Sequence, residues 1–421
     1  MPHFETLYHL AVLAGLLLGL AGVLANLATF DGLRRAEPPA AADAPRVSIL
    51  VPARNEALNI GPCVRSLLAQ DYPNCELLVL DDHSTDGTGE ILRGLGLAEA
   101  SVGEAVSFPR SSPPTPGTQR VPLQPAASQP RMLNGAPLPP GWTGKGWACH
   151  QLSAQATGEF LFFTDADTEH APGTVSAAVA YARRNRADLV SAWPRLVTVT
   201  WAEQLIVPMI LVLAMVLYPH WLLRFLQRHP HLAARLPRER QRLFGAANGQ
   251  FMFFTRGGYE RIGGHAGEHS HVVEDVALGR AVASRMGEGM RLFNCESLQF
   301  STCRMYRSFG ETWEGFTKNI RPAFEKSLVG FLVLGAWQLC GYLLPFVFVF
   351  CTPRPLVFAQ VGVIYLIRIL LTLRFRTSWL GCALHPVGQA LGLAIGLNSW
   401  RCSARGGVSW KGRTYQVSSR S

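Results

Sequence analysis

An unbroken apolar run occupies the start of the chain. No charged residue occurs from Leu7 to Phe30, and twenty-four residues of helix extend about 36 Å, which exceeds a hydrocarbon core of about 30 Å. This pattern predicts a transmembrane anchor over residues 1–32. The alternative is a cleaved signal peptide processed near Ala25–Ala28. The first ten residues contain no Lys or Arg, whereas Arg34 and Arg35 follow the run, which favours a retained anchor with its N-terminus outside.

Two further apolar runs lie near the C-terminus. Ser327–Cys351 and Pro355–Leu373 are separated by a short Thr-Pro-Arg turn, which predicts a transmembrane hairpin over residues 327–373. Arginines and a lysine follow the hairpin and place the tail in the cytoplasm by the positive-inside rule. Gly, His, Pro and Asn interrupt the weaker run Trp379–Trp400. We therefore expect residues 379–421 to form an interfacial or re-entrant segment and a basic cytoplasmic tail.

A fourth apolar run lies between two polar motifs that must share one site. Leu205–Leu223 is long enough to span a membrane but contains Pro208 and Pro219. A single crossing would place the flanking motifs on opposite sides of the bilayer, so we expect an interfacial helix over residues 203–227, or packing on the domain. The arginines that follow are suited to anionic lipid, although a solvated basic loop is the alternative: Arg224, Arg228, Arg235, Arg238, Arg240 and Arg242.

Short apolar runs alternate with helical spacing between these segments. Val47–Val51, Glu76–Leu80 and Phe160–Thr164 read as buried strands, and each ends in a polar or acidic loop. Strands that alternate with helices predict an α/β domain with a largely parallel sheet over residues 45–324. Ten prolines between positions 109 and 140 predict that residues 94–140 form a flexible insertion outside the core.

Composition supports a chain that lies partly in lipid. Of the 421 residues, 48% are hydrophobic and only 16% are charged, and mean hydropathy is +0.14. These values exclude a disordered chain and an ordinary cytosolic enzyme. Nine cysteines without a C-x-x-C pair favour reduced thiols and a domain that faces the cytosol. The net charge of +10 is assigned to the membrane surface, so no nucleic-acid partner is expected.

Acidic residues at the strand ends carry the candidate chemistry. Asp165 and Asp167 leave the third strand two residues apart, where their carboxylates could hold a divalent cation and leave ligand positions for a diphosphate. Asp81 and Asp82 end the second strand, and Glu274-Asp275 come later. A plain Asp-rich turn and an acidic helix cap are the alternatives for the last two pairs. No G-x-G-x-x-G or P-loop motif occurs in the chain.

An ordered set of motifs resembles one known family. The set is similar to that of family 2 glycosyltransferases with the GT-A fold, a Rossmann-like α/β fold that binds nucleotide-diphospho-sugars. The resemblance covers about residues 45–320, and its motifs are Val51-Pro52-Ala53-Arg54-Asn55-Glu56, Asp81-Asp82-His83-Ser84-Thr85-Asp86-Gly87, Thr164-Asp165-Ala166-Asp167 and Val273-Glu274-Asp275.

The resemblance implies a role for each motif. Asp275 is the expected general base with Glu274 beside it, and Asp165 and Asp167 are expected to hold Mg²⁺ or Mn²⁺ on the sugar diphosphate. Lys145, in the stretch Trp142–Trp147, matches a family position near the donor. The remaining nucleotide-binding residues implied by the resemblance are Pro52, Ala53, Arg54, Asn55, Glu56, Asp81 and Asp82.

The chain also departs from part of the family. Processive polysaccharide synthases carry Q-x-x-R-W after the base, and this motif is absent here, which favours transfer of a single sugar. Arg304 and Arg307 follow the base instead. They could clamp the donor diphosphate bidentately, or they could face lipid headgroups. The sequence of this region, together with Ala247–Gln250, resembles the sequences of a bacterial subgroup that contains carotenoid glucosyltransferases and hopanoid-associated relatives.

Two further sets of residues have competing interpretations. His265, His269 and His271 precede the base and could hold zinc, although a Gly-rich loop on the acceptor side is favoured. Four aromatic residues could line an acceptor channel, with core packing as the default interpretation: Trp193, Trp201, Trp313 and Phe316.

The sequence therefore predicts a multi-pass enzyme of the cytoplasmic membrane whose catalytic domain faces the cytoplasm. We expect inverting, metal-dependent transfer of one sugar, from a donor such as UDP-glucose, to a hydroxyl of a hydrophobic lipid such as a carotenoid. The first alternative is sugar transfer to polyprenyl phosphate or to another lipid, such as a hopanoid or glycolipid. The second is a non-catalytic membrane module that binds a nucleotide sugar or anionic lipid.

Overall fold

The computed structural model describes residues 2–101, 129–324, 327–405, 408–410 and 413–415. Its strands are β1 (Val47–Ala53), β2 (Cys75–Asp81), β3 (Ala98–Ser101), β4 (Arg131–Asn134), β5 (Phe160–Phe163), β6 (Thr168–His170), β7 (Leu189–Trp193), β8 (Arg195–Leu196), β9 (Met252–Thr255), β10 (Leu292–Glu296), β11 (Ser301–Cys303), β12 (Val408–Trp410) and β13 (Arg413–Tyr415).

The helices are α1 (Pro2–Thr29), α2 (Ile60–Leu68), α3 (Thr88–Gly94), α4 (Gly144–Gln155), α5 (Thr174–Asn185), α6 (Trp201–Ile206), α7 (Met209–Leu217), α8 (His220–Arg228), α9 (Pro230–Ala233), α10 (Arg238–Arg242), α11 (Arg256–Arg261), α12 (Gly264–Gly267), α13 (Glu274–Ala283), α14 (Phe309–Ala323), α15 (Leu328–Trp337), α16 (Leu344–Cys351), α17 (Pro355–Phe375), α18 (Trp379–Ala383) and α19 (His385–Ala404). A 3₁₀ turn occupies Met286–Glu288 and a π-helical segment occupies Gln338–Leu343.

One eight-stranded sheet organises the domain. Its order is β10-β7-β9-β5-β1-β2-β4-β3, and all pairings are parallel except those that β9 makes with β5 and β7. The chain moves outward from β1 through β2 and then returns to place β5 on the other side of β1. Such a switch point opens a crevice at the carboxyl ends of the strands, where open α/β sheets bind ligands. The predicted α/β class is confirmed.

Apolar residues bury both faces of the sheet. In β1, Ile49 and Val51 pack under α2 and α5 on one face, whereas Leu50 packs with Leu78 and Phe163 toward α4 and α13 on the other. Side chains alternate between the faces of a strand, so a continuous apolar run such as that of β1 is required where both faces are covered. The rigid sheet then fixes the loops that leave its carboxyl edge.

The predicted insertion differs from the structure at both ends. Residues 98–101 and 131–134 are β3 and β4, parallel strands at one edge of the main sheet, and Met132 and Leu133 are fully buried. Sequence patterns did not predict these strands, because each is only four residues long and the surrounding residues 94–140 are rich in proline. The prolines between residues 102 and 128 lie outside the described residues.

Three described helical segments are apolar and long enough to cross a membrane: Phe4–Thr29, Leu328–Cys351 and Pro355–Phe375. They correspond to the predicted anchor and to the two arms of the predicted hairpin. Glu5, near the start of the first segment, forms an ion pair of 2.6 Å with Arg354, in the turn between the other two. The start of the anchor and the turn of the hairpin therefore lie at the same end of the bundle.

Residues 203–227 do not form one helix. Pro208 and Pro219 divide the run into α6, α7 and α8, because proline cannot donate the backbone hydrogen bond that a helix interior needs. Two of these helices, α7 and α8, pack against α1, and α7 also contacts α17. The axis bends by 45° between Trp201–Leu217 and His220–Arg228. The run therefore forms three helices rather than the one expected, and they pack on neighbouring helices as the alternative had it; an interfacial position stays a prediction.

The weaker apolar run near the C-terminus forms α18 and α19. The second helix lies along α14, where Ser399 Oγ donates to the carbonyl oxygen of Thr317 at 2.5 Å and Asn398 Nδ2 donates to Thr317 Oγ1 at 3.2 Å. Among the described residues, neither helix is both long enough and apolar enough to count as a membrane span. After α19, the strands β12 and β13 pair antiparallel.

The anchor is joined directly to the sheet. After α1, Gly32 forms a parallel bridge with Glu296 of β10, and the Leu33 N–H donates to the Glu296 carbonyl oxygen at 2.8 Å. Arg374, at the end of α17, pairs with the Glu296 carboxylate at 3.1 Å. Asp31 accepts from Arg224 of α8 at 2.5 Å. These contacts tie the anchor, the hairpin and the edge of the sheet together.

Candidate functional site

Two loops at the carboxyl edge of the sheet form a single surface. Asn55, after β1, has a φ of 52°, a left-handed conformation that Asn tolerates. Its N–H donates to Ser84 Oγ at 2.9 Å, and its Oδ1 accepts from the Thr85 N–H at 2.9 Å. The Ala57 N–H donates to Asp86 Oδ2 at 2.9 Å. The loop after β1 is therefore bonded to the loop after β2, as the shared sheet edge requires.

The acidic pair after β5 is held by buried polar contacts. Thr164 Oγ1 donates to the Gln250 carbonyl oxygen at 2.8 Å and lies 2.8 Å from His170 Nε2. Burial lowers the pKa of His170 to about 3, so this imidazole is neutral. The adjoining carboxylates of Asp165 and Asp167 line the same cavity as the loop after β1. The backbone that carries the two aspartates is thus fixed by the sheet and by the neutral contacts of Thr164.

Lys145 connects two of the predicted motifs. It lies in the first turn of α4, whose N-cap Thr143 accepts from the Gly146 N–H. Its Nζ is 2.7 Å from Asp165 Oδ1 and 2.8 Å from Glu274 Oε1. Burial acts to lower the pKa of Lys145, but the neighbouring carboxylates outweigh burial and hold that pKa well above its ordinary value. The side chain is therefore a permanent cation between the acidic pair and α13.

Asp275 has the environment expected of a general base. It lies at the start of α13, where Oδ2 accepts from the Gly249 N–H and Oδ1 from the Val276 N–H, each at 2.8 Å. Burial, and then the adjacent charge of Glu274, raise the pKa of Asp275 to about 6, against the opposing effect of Lys145. A carboxylate with this pKa is ionised near neutral pH and is a stronger base than an ordinary aspartate.

A single cavity of about 1550 Å³ joins these groups to an apolar groove. At its polar end lie the predicted residues Pro52, Ala53, Arg54, Asn55, Glu56, Asp82, Lys145, Asp165, Asp167, Glu274 and Asp275. The other end is enclosed by α7, α15 and α19, which contribute mainly apolar side chains and glycines. The cavity therefore extends from charged groups at the sheet edge to the apolar helices α7, α15 and α19.

The two arginines predicted to clamp a diphosphate have different partners. Arg304 makes two hydrogen bonds to the buried carboxylate of Glu203, from Nε at 3.2 Å and from Nη2 at 3.1 Å. Arg307 Nη2 donates to Asn59 Oδ1 at 2.8 Å, beside the loop after β1. Both residues line the cavity. The bidentate face of Arg304 is thus occupied by Glu203, whereas Arg307 lies at the polar end.

Comparison with known proteins assigns this geometry to a family. The model of the family described as Glycosyl transferase family 2 matches residues 48–98 and 124–251, which carry β1, β2, β5 and the acidic pair. The chain contains a family 2 glycosyltransferase domain. This result agrees with an enzyme rather than a non-catalytic module.

Known relatives of the glycosyltransferase resemble it over most of their length. A 4,4'-diaponeurosporenoate glycosyltransferase of Staphylococcus aureus strain USA300 is 25% identical over 389 residues, covering 88% of each protein. The protein of that name from strain MRSA252 is 25% identical over 393 residues. A mannosyltransferase from Pyrobaculum calidifontis, solved with GDP-Man and Mn²⁺, is 17% identical, with a TM-score of 0.51 over 93% of this chain and 98% of that one. The last likeness confirms the GT-A fold.

The acidic pair of the glycosyltransferase suits a hard divalent cation. Asp165 and Asp167 offer carboxylate oxygens at the cavity wall, and no cluster of three metal-binding side chains occurs among the described residues. Mg²⁺ commonly binds through one or two carboxylates and completes its coordination with water and substrate phosphates. Two carboxylates therefore fit a cation that arrives with a diphosphate.

One predicted binding residue lies away from the cavity. Asp81 ends β2, its Oδ1 accepts from the Ser84 N–H at 3.0 Å, and it is absent from the cavity wall, unlike its neighbour Asp82. Successive side chains of a strand point to opposite faces, so only one member of the pair reaches the ligand side. In this structure Asp81 holds the loop after β2, and its predicted contact with the nucleotide stays a prediction.

The three histidines before α13 do not converge on a metal. His265 Nδ1 lies 2.7 Å from the Tyr259 hydroxyl, and burial lowers the pKa of His265 to about 3. His269 Nδ1 lies 3.0 Å from a backbone carbonyl oxygen, and His271 pairs with Glu268 at 3.1 Å. Separate partners leave no shared ligand position, so the zinc alternative has no support among the described residues.

The aromatic residues divide between the cavity and the surrounding packing. Trp193 and Phe316 line the cavity. Trp201 stacks on Phe309 at a ring separation of 5.5 Å and is 55% exposed, and Trp313 packs with α6 and α19. The predicted channel is therefore formed mainly by aliphatic residues and glycines.

Three contributors to the site were missed by sequence reasoning. Gly249 supplies the N–H that orients Asp275, Asn59 binds Arg307, and Glu203 binds Arg304. The Ala247–Gln250 stretch carried a family signal without a role. The Glu203 pair had no local signal, because its partner is 101 residues away.

Proposed function

We propose that the protein transfers one sugar from a nucleotide-sugar donor to a hydroxyl group of a membrane lipid, with inversion at the anomeric carbon. The observation that carries the proposal is the continuous cavity, which joins the carboxylate centre to an apolar groove between α7, α15 and α19. A soluble acceptor needs no such groove, whereas a lipid tail removes its apolar surface from water there.

The residues at the polar end have complementary roles. Asp275 accepts the proton of the acceptor hydroxyl. The hydroxyl oxygen forms a bond to the anomeric carbon of the sugar, and the bond between that carbon and the diphosphate oxygen breaks. Gly249 and Val276 hold the carboxylate by their N–H groups throughout. One displacement with one base gives inversion, and no covalent intermediate is needed.

Charge at the donor end is balanced by the chain's own side chains. Lys145 keeps Asp165 and Glu274 within 3 Å of one cation and favours the negatively charged diphosphate. A divalent cation, Mg²⁺ or Mn²⁺, held by Asp165 and Asp167 would offset the charge that develops on the leaving diphosphate. The loop Pro52–Glu56, Asp82 and Arg307 surround the nucleotide in this arrangement.

The name of the curated relatives indicates a class of acceptor. The curated Staphylococcus aureus relatives are named for a carotenoid substrate, and we propose a carotenoid acceptor for this chain as well. The proposed donor is UDP-glucose, and the proposed location is the cytoplasmic membrane, crossed by the three apolar segments, with the catalytic domain facing the cytoplasm.

An acceptor that is already ionised is the second candidate. The relatives are named for a substrate that is a carboxylate, diaponeurosporenoate, and a polyprenyl phosphate is ionised as well. Such an oxygen carries no proton at neutral pH, so it would attack without a general base. The need for Asp275 separates this candidate from transfer to a hydroxyl.

The proposal is tested in cells that make hydroxylated carotenoids. Expression of the full chain should yield lipids whose mass increases by one hexose, and the Asp165→Asn/Asp167→Asn double variant should not. Purified protein should release nucleoside diphosphate only with both a divalent cation and the lipid extract. If no lipid gains the mass of one hexose although the protein is expressed and inserted normally, the proposal is contradicted.

A further inference from the structure

The far end of the cavity contains two polar side chains within an apolar groove. Gln338 begins the π-helical segment after α15, and Gln389 lies near the start of α19; both line the cavity. Their amides meet across the groove, where Gln389 Nε2 donates to Gln338 Oε1 at 3.0 Å. The function proposed above does not use this pair.

One half of the pair is unsatisfied. Gln389 is only 4% exposed, and its Oε1 is buried without a hydrogen-bond partner among the described residues. A side-chain amide offers two donors and two acceptor positions, and buried amides normally satisfy them. Exchanging the oxygen and nitrogen of both amides would leave a donor instead of an acceptor unpaired on Gln389, and a hydroxyl can pair with either. A pair that merely joined two helices would not need to leave one of its polar atoms unpaired at the wall of a cavity.

The groove is long enough to separate this pair from the sheet edge. The cavity follows one face of α15, through Ser327, Phe331 and Gly335 to Gln338, at the spacing of successive helical turns. Eleven residues of helix correspond to about 16 Å. On the opposite wall, Gly396 of α19 faces Phe331, so the two helices run antiparallel and bring Gln389 opposite Gln338.

Glycines keep the groove open along this length. Gly335 and Gly392 line the cavity, and a Cβ added at either position would meet no atom within 4 Å. Glycine inside a helix lowers stability by about 0.5–1 kcal/mol relative to alanine, so its use at both walls indicates space reserved for a ligand. The π-helical segment at Gln338 is a second departure from regular helix, of a kind that recurs at functional sites.

We infer that Gln338 and Gln389 form a subsite for a second polar group of the acceptor lipid, a hydroxyl that hydrogen-bonds to the unpaired polar atom of the Gln389 amide. This inference rests on the function proposed above. It specifies an acceptor with two oxygen functions: one takes the sugar at Asp275, and the other lies beyond an apolar chain that fills the groove. A purely apolar chain of the same length would leave the amide unpaired, and such a site rejects the analogue that lacks the hydroxyl.

The experiment compares straight-chain alcohols with the diols that carry a second hydroxyl at the other end. For a series of increasing chain length, kcat/KM for sugar transfer and the affinity for the full-length protein in detergent micelles are both measured. We expect a preference of about tenfold or more for the diol, confined to one range of chain length, as one recovered hydrogen bond would give.

Variants locate the preference. Gln389→Leu should bring the diol and the alcohol within about twofold of each other, because the hydrogen bond is lost while side-chain volume is kept. Leu393→Met, one turn further along the same wall, should keep the preference. Equal transfer to diol and alcohol by the unaltered protein, at every chain length, would overturn the subsite and leave the proposed function standing.

Absence of transfer to every alcohol and to the lipid extract would instead count against the proposed function. The binding measurement still decides the subsite in that case, since equal affinities for diol and alcohol would overturn it. If Gln389→Leu fails to fold, the chain-length series on the unaltered protein gives the same decision.

Discussion

Lys145 is the residue on which the arrangement of the polar end depends. Its Nζ contacts Asp165 at 2.7 Å and Glu274 at 2.8 Å, and so links the loop after β5 to the start of α13. Without this cation, three carboxylates would repel one another across the cavity. The lysine therefore keeps the centre assembled before donor and cation bind.

The role of Asp275 is tested by Asp275→Asn. The amide keeps the side-chain shape but cannot accept the proton, so we expect kcat to fall by about 10²–10⁴-fold while donor affinity stays within a few fold. Steady-state kinetics and donor titration measure the two quantities. Asp43→Asn, on the exposed surface away from the cavity, is the matched control. Undiminished turnover in Asp275→Asn would favour the ionised-acceptor candidate.

The same carboxylate predicts a pH dependence. Burial and the charge of Glu274 raise the pKa of Asp275 to about 6, and only the deprotonated form is a base. At saturating divalent cation, log kcat/KM should therefore be level above about pH 6 and fall toward a slope of one at lower pH. An acid limb near pH 4, the range of an ordinary carboxylate, would be inconsistent with the environment described for Asp275.

Sequence patterns predicted the residues of the site that are fixed by their own strand or helix. Asp165 and Asp167 end a buried strand, and Asp275 begins a helix, so local pattern was sufficient. Local pattern did not show that Asp82 lines the cavity and Asp81 does not, because side-chain alternation at the end of β2 separates the two. The partner of Arg304 could not be predicted, since Glu203 reaches it only through the tertiary fold.

At the level of elements, sequence patterns predicted short strands and proline-containing helices poorly. Short length hid β3 and β4, and prolines at 208 and 219 broke one predicted helix into three. By contrast, the long runs of α1 and α17 were predicted to within a few residues, because an uninterrupted apolar pattern has few alternative structures. Packing between separate segments, such as α14 with α19, follows from three-dimensional contacts that no local pattern encodes.

The groove predicts an effect of side-chain volume at Gly392. Gly392→Leu should place a side chain in the open space of the cavity and lower kcat/KM for a long-chain acceptor by at least about tenfold, as a few unfavourable contacts would. Donor affinity should not change. Gly362→Leu is the control, because Gly362 is an exposed glycine of α17 that also has open space but does not line the cavity. Equal losses in both variants would indicate a general effect on folding.

At the level of the whole molecule, charges and apolar segments define one orientation. Glu5 and Arg354 meet at one end of the bundle, whereas Arg374 joins the other end to the sheet. In the proposed topology, three crossings with a short hairpin turn put the domain and the start of α1 on opposite sides of the membrane. This arrangement is the one that the positive-inside rule predicts from the arginines around the domain.

Cysteine labelling tests the orientation. Cys351 is exposed at the end of α16, beside the hairpin turn, so a membrane-impermeant maleimide should label it from outside intact cells. Cys351→Ser should remove that label. In inverted vesicles the same reagent should leave Cys351 unmodified. Labelling of Cys351 only in inverted vesicles would contradict the proposed topology and indicate the opposite orientation.

The bridge between Gly32 and Glu296 makes the anchor an extension of the edge of the sheet. A flexible tether would let the domain rise and turn above the membrane, but the hydrogen bond from the Leu33 N–H and the ion pair between Glu296 and Arg374 remove that freedom. Asp275 is then held at a constant height relative to the lipid headgroups. An acceptor oxygen must come to that height, so activity should depend on bilayer thickness: it should peak in vesicles whose hydrocarbon core matches the spans, and decline in thinner and in thicker ones.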